Sequence, residues 1–222
     1  IFNLPIMDFV DKNIEKYVEA LSDNESPLLK EISEYTFRNI HQPRMLSGHL
    51  QGRILSFISQ IKKPKNILEI GTYTGYSALC LAEGLSTDGK LITIDKDKSL
   101  YSIVGDFFSR SKYANQIDQK IGEALNLIPE IKLKFDLVFI DADKKNYKNY
   151  FNQVFDMLNV GGVIIVDNVL WNGKVTDLDK NHNDKITVYM NEFNEYIKNN
   201  KKVSKLILPV RDGLTIIIKN EN

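Results

Sequence analysis

The chain has 222 residues, enough to bury a sizeable core, with 43% hydrophobic and 26% charged side chains, an ordinary balance for a globular protein. Its 29 basic and 29 acidic residues cancel, which argues against a partner held by overall charge, such as a nucleic-acid backbone. The single cysteine, Cys80, rules out an internal disulfide and a cysteine-based metal site, and no apolar run approaches a membrane span.

With no signal-peptide pattern visible, a reducing, cytoplasmic setting is expected. Residues 6–61 read as helical. "MDFVDKNIEKYVEAL" spaces its apolar residues as a helix does, and Ser26-Pro27 has the form of an N-cap followed by the first helical position. A third helix is expected over "SGHLQGRILSFISQI", ended by Pro64. From residue 66 short β-branched runs alternate with helical stretches: "NILEIG", "KLITID", "QIDQKIG", "FDLVFID" and "GGVIIVDN". Runs apolar on both faces predict buried strands, and the alternation predicts βαβ units in a parallel sheet. "VSKLILPV" and "LTIIIK", joined at Arg211-Asp212-Gly213, predict a closing antiparallel hairpin. The expectation is one α/β domain over 1–222, with a helical extension (1–62) before a Rossmann-like core (63–222).

Ligands of open parallel sheets bind beyond the carboxyl ends of the strands. Acids recur there: Glu69 in the first run, Asp95 after the second, Asp141 and Asp143 after the fourth, Asp167 with Asn168 after the fifth. Gly71 and Gly75 allow backbone to approach a ligand closely. A dinucleotide fingerprint would need glycine where Tyr73 stands, and Glu69 would repel a pyrophosphate. Glu69 suits a cationic ligand, and Asp95 stands where an acid accepts from ribose hydroxyls. Together they suit S-adenosylmethionine; a tight turn beside a surface acid is the plain alternative.

"ILEIGTYTGYSALCLAEGL", "FDLVFIDADKKNYKNYF", "GGVIIVDNVLWNGKV" and "LPVRDGLTIIIK" resemble the cation-dependent O-methyltransferases of the caffeoyl-CoA and catechol type, over about residues 41–219. The resemblance implies a seven-stranded Rossmann-like sheet with a reversed last strand and helices on both faces. It also implies S-adenosylmethionine as donor, a homodimer, and a vicinal-hydroxyl acceptor. It carries Ser47, Glu69, Gly71, Thr72, Ser77, Asp95, Ala124 and Asp143 to the donor, Asp143 facing the ammonium. It carries Asn172 to the acceptor; Trp171 either walls that pocket or packs. Asp141, Asp167 and Asn168 offer only oxygen ligands, which favours Mg²⁺, Mn²⁺ or Ca²⁺ over zinc. A dication on two adjacent hydroxyls lowers the pKa of one and fixes it near the methyl group. The resemblance makes Lys144 the general base, provided its pKa is lowered; the alternative is a solvated lysine at a helix start. His49 either lines the pocket or is satisfied elsewhere, and Asp136 reads as a strand-start surface acid.

Two departures favour a small catechol over a coenzyme A thioester: no lysine aligns with the plant enzymes' N-terminal substrate lysine, and residues 176–185 are polar. An alternative acceptor is a hydroxylated tRNA uridine, for which "IKKPK" and "NNKKVSK" would form a basic rim. A nicotinamide oxidoreductase is disfavoured by the missing fingerprint. A sugar transferase using Asp141 and Asp143 leaves Asp167, Asn168 and Glu69 unexplained. A silent binding protein is disfavoured because the donor, metal and base positions are all present.

Overall fold

A computed structural model describes residues 10–221 of the chain. The amphipathic stretch predicted from Met7 forms α1 (Lys12–Leu21), where the Asp11 carboxylate accepts from the amides of Asn13 and Ile14; residues 7–9 lie outside the described residues. The Ser26 hydroxyl accepts from the Leu29 amide and Pro27 takes the first position of α2 (Pro27–Asn39), as expected. The third helix, α3 (Gly48–Lys62), closes on Lys63 in the left-handed region (φ 49°) just before Pro64.

The alternation then runs β1 (Asn66–Ile70), α4 (Tyr76–Ala82), β2 (Lys90–Asp95), α5 (Tyr101–Ser109), β3 (Ile117–Ile121), α6 (Ala124–Leu127), β4 (Phe135–Ile140), α7 (Tyr147–Met157) and β5 (Leu158–Val166). It continues with α8 (Leu178–Asn181), α9 (Lys185–Asn199), β6 (Val203–Leu208) and β7 (Leu214–Lys219). The strands form one sheet in the order β3-β2-β1-β4-β5-β7-β6. Only β7 is reversed, antiparallel to both β5 and β6. The hairpin is present, but the last strand is not at the rim. The helical crossover sets β6 one strand-width away from β5, and the return strand fills that gap.

Period-two alternation divides the sheet's apolar residues between two layers. Leu68, Ile70, Val138, Ile140, Ile164 and Val166 pack with Tyr147, Phe151 and Phe193 of α7 and α9. Ile67, Leu137, Phe139 and Ile165 pack on the other face with Leu29 and Ile32 of α2, Leu55 of α3 and Leu79 of α4. Thus α2 and α3 cover the sheet directly, whereas α1 buries no residue. Asp136, expected as a surface acid, accepts from the amides of Lys65 and Asn66 and from the Asn159 side chain, stapling the starts of three strands.

Candidate active site

The parallel hydrogen-bond ladder continues one residue past the strands. Gly71 N donates to Ile94 O (2.8 Å), Asp141 N to Ile70 O (2.9 Å), and Asp167 N to Ile140 O (3.0 Å). Asp95, Gly71, Asp141 and Asp167 therefore stand in one row along the carboxyl edge. The chain runs outward from β1 through β2 to β3, then restarts on the other side at β4. The row thus crosses the topological switch point between β1 and β4, where an open sheet leaves its crevice.

The glycines of the first loop also serve the protein's own packing. Gly71 has φ +102°, and a Cβ there would stand 1.9 Å from the Asp141 carbonyl oxygen. At Gly75 (φ +82°) a Cβ would meet the Phe108 ring at 2.7 Å. Asp95 likewise has protein partners. Its Oδ2 accepts from the amides of Thr72 (2.9 Å) and Tyr73 (2.8 Å), and its Oδ1 from Asp97 N (2.9 Å). It clamps the loop as well as lining the crevice. Glu69 lies behind the loop at 0% exposure. The Thr93 hydroxyl donates to its Oε2 (2.5 Å) and contacts the Thr72 hydroxyl (2.6 Å), while Oε1 has no hydrogen-bond partner among the described residues. Burial, reinforced by Asp141 and Asp95, pushes this carboxyl up to about 8.

A cavity of about 680 Å³ opens over this row. Ser47, Gly71, Thr72, Ser77, Asp95, Ala124, Asp141, Asp143 and Lys144 all line it. Ser47 precedes α3 without capping it through its side chain. Asp143 accepts from Asn146 Nδ2 (2.5 Å) and from the Tyr150 hydroxyl. Of the histidines, His41 lines the cavity, whereas His49 is satisfied by the Asp23 carbonyl (2.7 Å) and His182 by that of Asp179. The pocket reading of His49 is thus corrected.

The remaining candidates lie beside the cavity on its β5 side. Asp167, 5% exposed, accepts at Oδ1 from Asn168 N (2.6 Å) and at Oδ2 from Gln51 Nε2 (2.7 Å). The Asp167 N–Ile140 O bond sets it beside Asp141, and burial with that nearby charge holds its carboxyl above the ordinary range. Asn168, Trp171 and Asn172 all have left-handed φ, in a loop whose tight path the structure spends residues to hold. Asp212 Oδ1 accepts from Asn172 N (2.5 Å), and Arg211 Nη1 donates to Leu46 O (2.6 Å). The hairpin turn, read only as a turn, thus ties the Asn172 loop to the loop that carries Ser47. Trp171 packs against the core cluster beneath α9.

Lys144 donates to Asp141 Oδ1 (2.9 Å). Burial, the largest single influence, would lower its pKa, but Asp141 and Tyr147 together raise it, opposite to what the base role requires. Its ammonium also sits 5.1 Å from the centroid of the buried Tyr147 ring. Among the described residues there is no cluster of three His, Cys, Asp or Glu side chains suited to a metal; the candidate set has two carboxylates and one amide. The basic runs 61–65 and 199–205 flank the amino ends of β1 and β6, opposite the cavity, so neither rims it. No helix among the described residues is long and apolar enough to cross a membrane.

Over residues 19–220 the chain matches the family described as O-methyltransferase. It is 33% identical over 198 residues to caffeoyl-CoA O-methyltransferase 1 of Arabidopsis thaliana, covering 85% of this chain and 76% of that protein. Among solved structures it is similar to the O-methyltransferase TomG from Streptomyces achromogenes in complex with SAM, with a TM-score of 0.86 and 28% identity over 94% of this chain and 96% of that one. It is also similar to an O-methyltransferase from Bacillus cereus in complex with SAH, with a TM-score of 0.85 and 29% identity over 94% of this chain and 97% of that one.

Proposed function

The chain belongs to the O-methyltransferase family of the caffeoyl-CoA type, and on that premise we propose that it moves a methyl group from S-adenosylmethionine to one hydroxyl of a catechol-type phenol with help from a divalent cation. One observation carries this reading: Asp141 lines the donor cavity and stands beside Asp167 at the ends of neighbouring strands, so a single residue joins the donor space to a pair of carboxylates. Two like charges held together favour a cation between them, and the oxygen-only donor set of Asp141, Asp167 and Asn168 fits a hard one. When bound, such an ion polarises adjacent phenolic oxygens and lowers the pKa of one.

The chain's own residues supply the rest. Ser47, Thr72, Ser77 and Ala124 shape the donor cavity. Asp95 fixes the loop against which the donor rests and offers its carboxylate to ribose hydroxyls. Asp143 presents charge to the ammonium, and Glu69 supports the donor loop from behind through the Thr93 and Thr72 hydroxyls. Were Asp141 to hold such a cation, its charge would no longer stabilise the Lys144 ammonium, and burial would favour the neutral amine. Lys144 takes the acceptor's proton, and the acceptor oxygen forms its bond to the methyl carbon as the sulfur–methyl bond breaks in line. Asn172 and Trp171 stand on the acceptor side. Lys174 and Lys180 are each paired with an aspartate of their own segment (2.5 and 2.7 Å), which favours a small phenol over a polyanionic thioester.

A homodimer in the cytoplasm completes the proposal. Leu206 and Ile207 on β6, and Tyr17 and Leu21 on α1, are exposed apolar residues of the kind a second copy would cover. Incubation with S-adenosylmethionine, Mg²⁺ and a panel of catechols, flavonoids and caffeoyl-CoA, read by mass spectrometry, tests the acceptor class. Methylation of at least one vicinal diol is expected. Methylation of monohydroxyl analogues at equal rates would refute the chelation reading.

A further inference from the structure

We propose that Gln51 is a positioning residue that orients Asp167 for the cation, an inference that rests on Asp167 being a cation ligand. Gln51 lies on α3, one turn after Ser47, and is 1% exposed. Its Nε2 donates to Asp167 Oδ2 at 2.7 Å across 116 residues of sequence. The Asn168 amide holds the other carboxylate oxygen at 2.6 Å, so both oxygens are aimed. A primary amide suits this task. It donates a directed hydrogen bond without neutralising the carboxylate, and each oxygen keeps lone-pair capacity for a ligand.

The arm is rigid. Arg53, two residues on, is bound through both terminal nitrogens to the Glu83 carboxylate (2.9 Å each), and the Ser59 hydroxyl donates to Leu81 O. A Cβ at Gly52 would stand 2.7 Å from the Tyr76 ring and 2.9 Å from Cys80 Sγ, so α3 sits hard against α4 at this point. The backbone that carries Gln51 is therefore held in place, and its buried amide is aimed at Asp167. The turn that places Ser47 in the donor cavity also sets the cation ligand.

Hydrogen bonds that orient a ligating group are worth ~10–100-fold in metal affinity. The experiment titrates Mn²⁺ into the full-length protein, read by electron paramagnetic resonance, for wild type, Asp141→Ala, Gln51→Leu and Gln51→Met. Each protein is also tested for S-adenosylhomocysteine binding and for cation-free melting. Wild type is expected to bind Mn²⁺ and Asp141→Ala to lose it. Gln51→Leu is expected to raise the Mn²⁺ Kd ~10–100-fold while still binding S-adenosylhomocysteine. Its KM for the cation should rise in step, with kcat retained at saturating cation. Gln51→Met keeps the chain length without the donor and decides the matter should the leucine variant lose S-adenosylhomocysteine binding. An unchanged Mn²⁺ Kd in a variant that binds S-adenosylhomocysteine overturns the role of Gln51, even if cation-free melting falls. Absent Mn²⁺ binding in wild type, or full binding in Asp141→Ala, overturns instead the cation reading beneath it.

Discussion

Replacing Gly71 by alanine tests whether the switch point is built by backbone packing. Two costs arise. Alanine at φ +102° is in a region L residues avoid, a penalty of about 1–2 kcal/mol. The new Cβ would also stand 1.9 Å from the Asp141 carbonyl oxygen, a backbone atom with no rotamer to turn away. Forced displacement of packed structure adds about 1–3 kcal/mol. Gly161 supplies the control: its φ is +75°, but nothing lies within 4 Å of its Cβ position, so Gly161→Ala meets the first cost alone. The difference between the variants isolates the clash. At roughly 2–4 °C per kcal/mol for a chain of this size, Gly71→Ala should melt about 2–12 °C below Gly161→Ala. It should also bind S-adenosylhomocysteine more weakly, because the displaced atoms belong to Asp141. Differential scanning calorimetry with ligand titration reads both effects. Equal melting of the two variants with donor-site affinity intact would refute the reasoning.

Three further outcomes are expected. Lys144→Ala should lower kcat by roughly 10²-fold or more if the amine takes the acceptor's proton; a change confined to KM would assign it to substrate contact. Glu69 gives a pH signature. Its carboxyl, held up to about 8, keeps its proton in the fold where the unfolded chain has released it, so this group's contribution to stability falls as pH rises from about 4.5 to about 8. The stabilising effect of Glu69→Gln on the free protein should therefore be larger at pH 9 than at pH 5, and a pH-independent difference in melting would contradict the assignment. Arg53→Met strands Glu83 at the α3–α4 contact and should cost about 3 kcal/mol by urea unfolding, with Arg53→Met/Glu83→Met recovering most of it. A double variant as unstable as the single one would show that packing, not the pair, sets the cost.

Much of the frame was legible because buried strands advertise themselves: every predicted strand appears, and the acids after them fall into one row. Asp141 and Asp167 could be read because their place follows from chain direction alone. Gln51 could not, since its partner lies 116 residues away and a buried glutamine on a helix reads as an exposed one. A weak signal was available: α3 also buries Arg53, Ser56 and Ser59, more polar groups than an ordinary helix face hides. The glycine loop was legible only in part, because sequence shows that Gly71 lacks a side chain but not that the Asp141 backbone packs against it. Arg211 and Asp212 were read as turn residues, and only the position of β7 beside β5 brings that turn to the crevice. Lys144 shows the limit of motif reading. It lines the cavity, while Asp141 and Tyr147 together give it a pKa shift opposite to the one its role demands.

The central claim is that Asp141, Asp167 and Asn168 hold a cation that methyl transfer requires. The most direct measurement is methyl transfer from S-adenosylmethionine to a 3,4-dihydroxyphenyl acceptor, before EDTA, in EDTA, and after Mg²⁺ is restored in excess. Turnover should stop in EDTA and return with Mg²⁺ in wild type, and Mg²⁺ should not restore it in Asp141→Ala. Full turnover in EDTA would contradict the account.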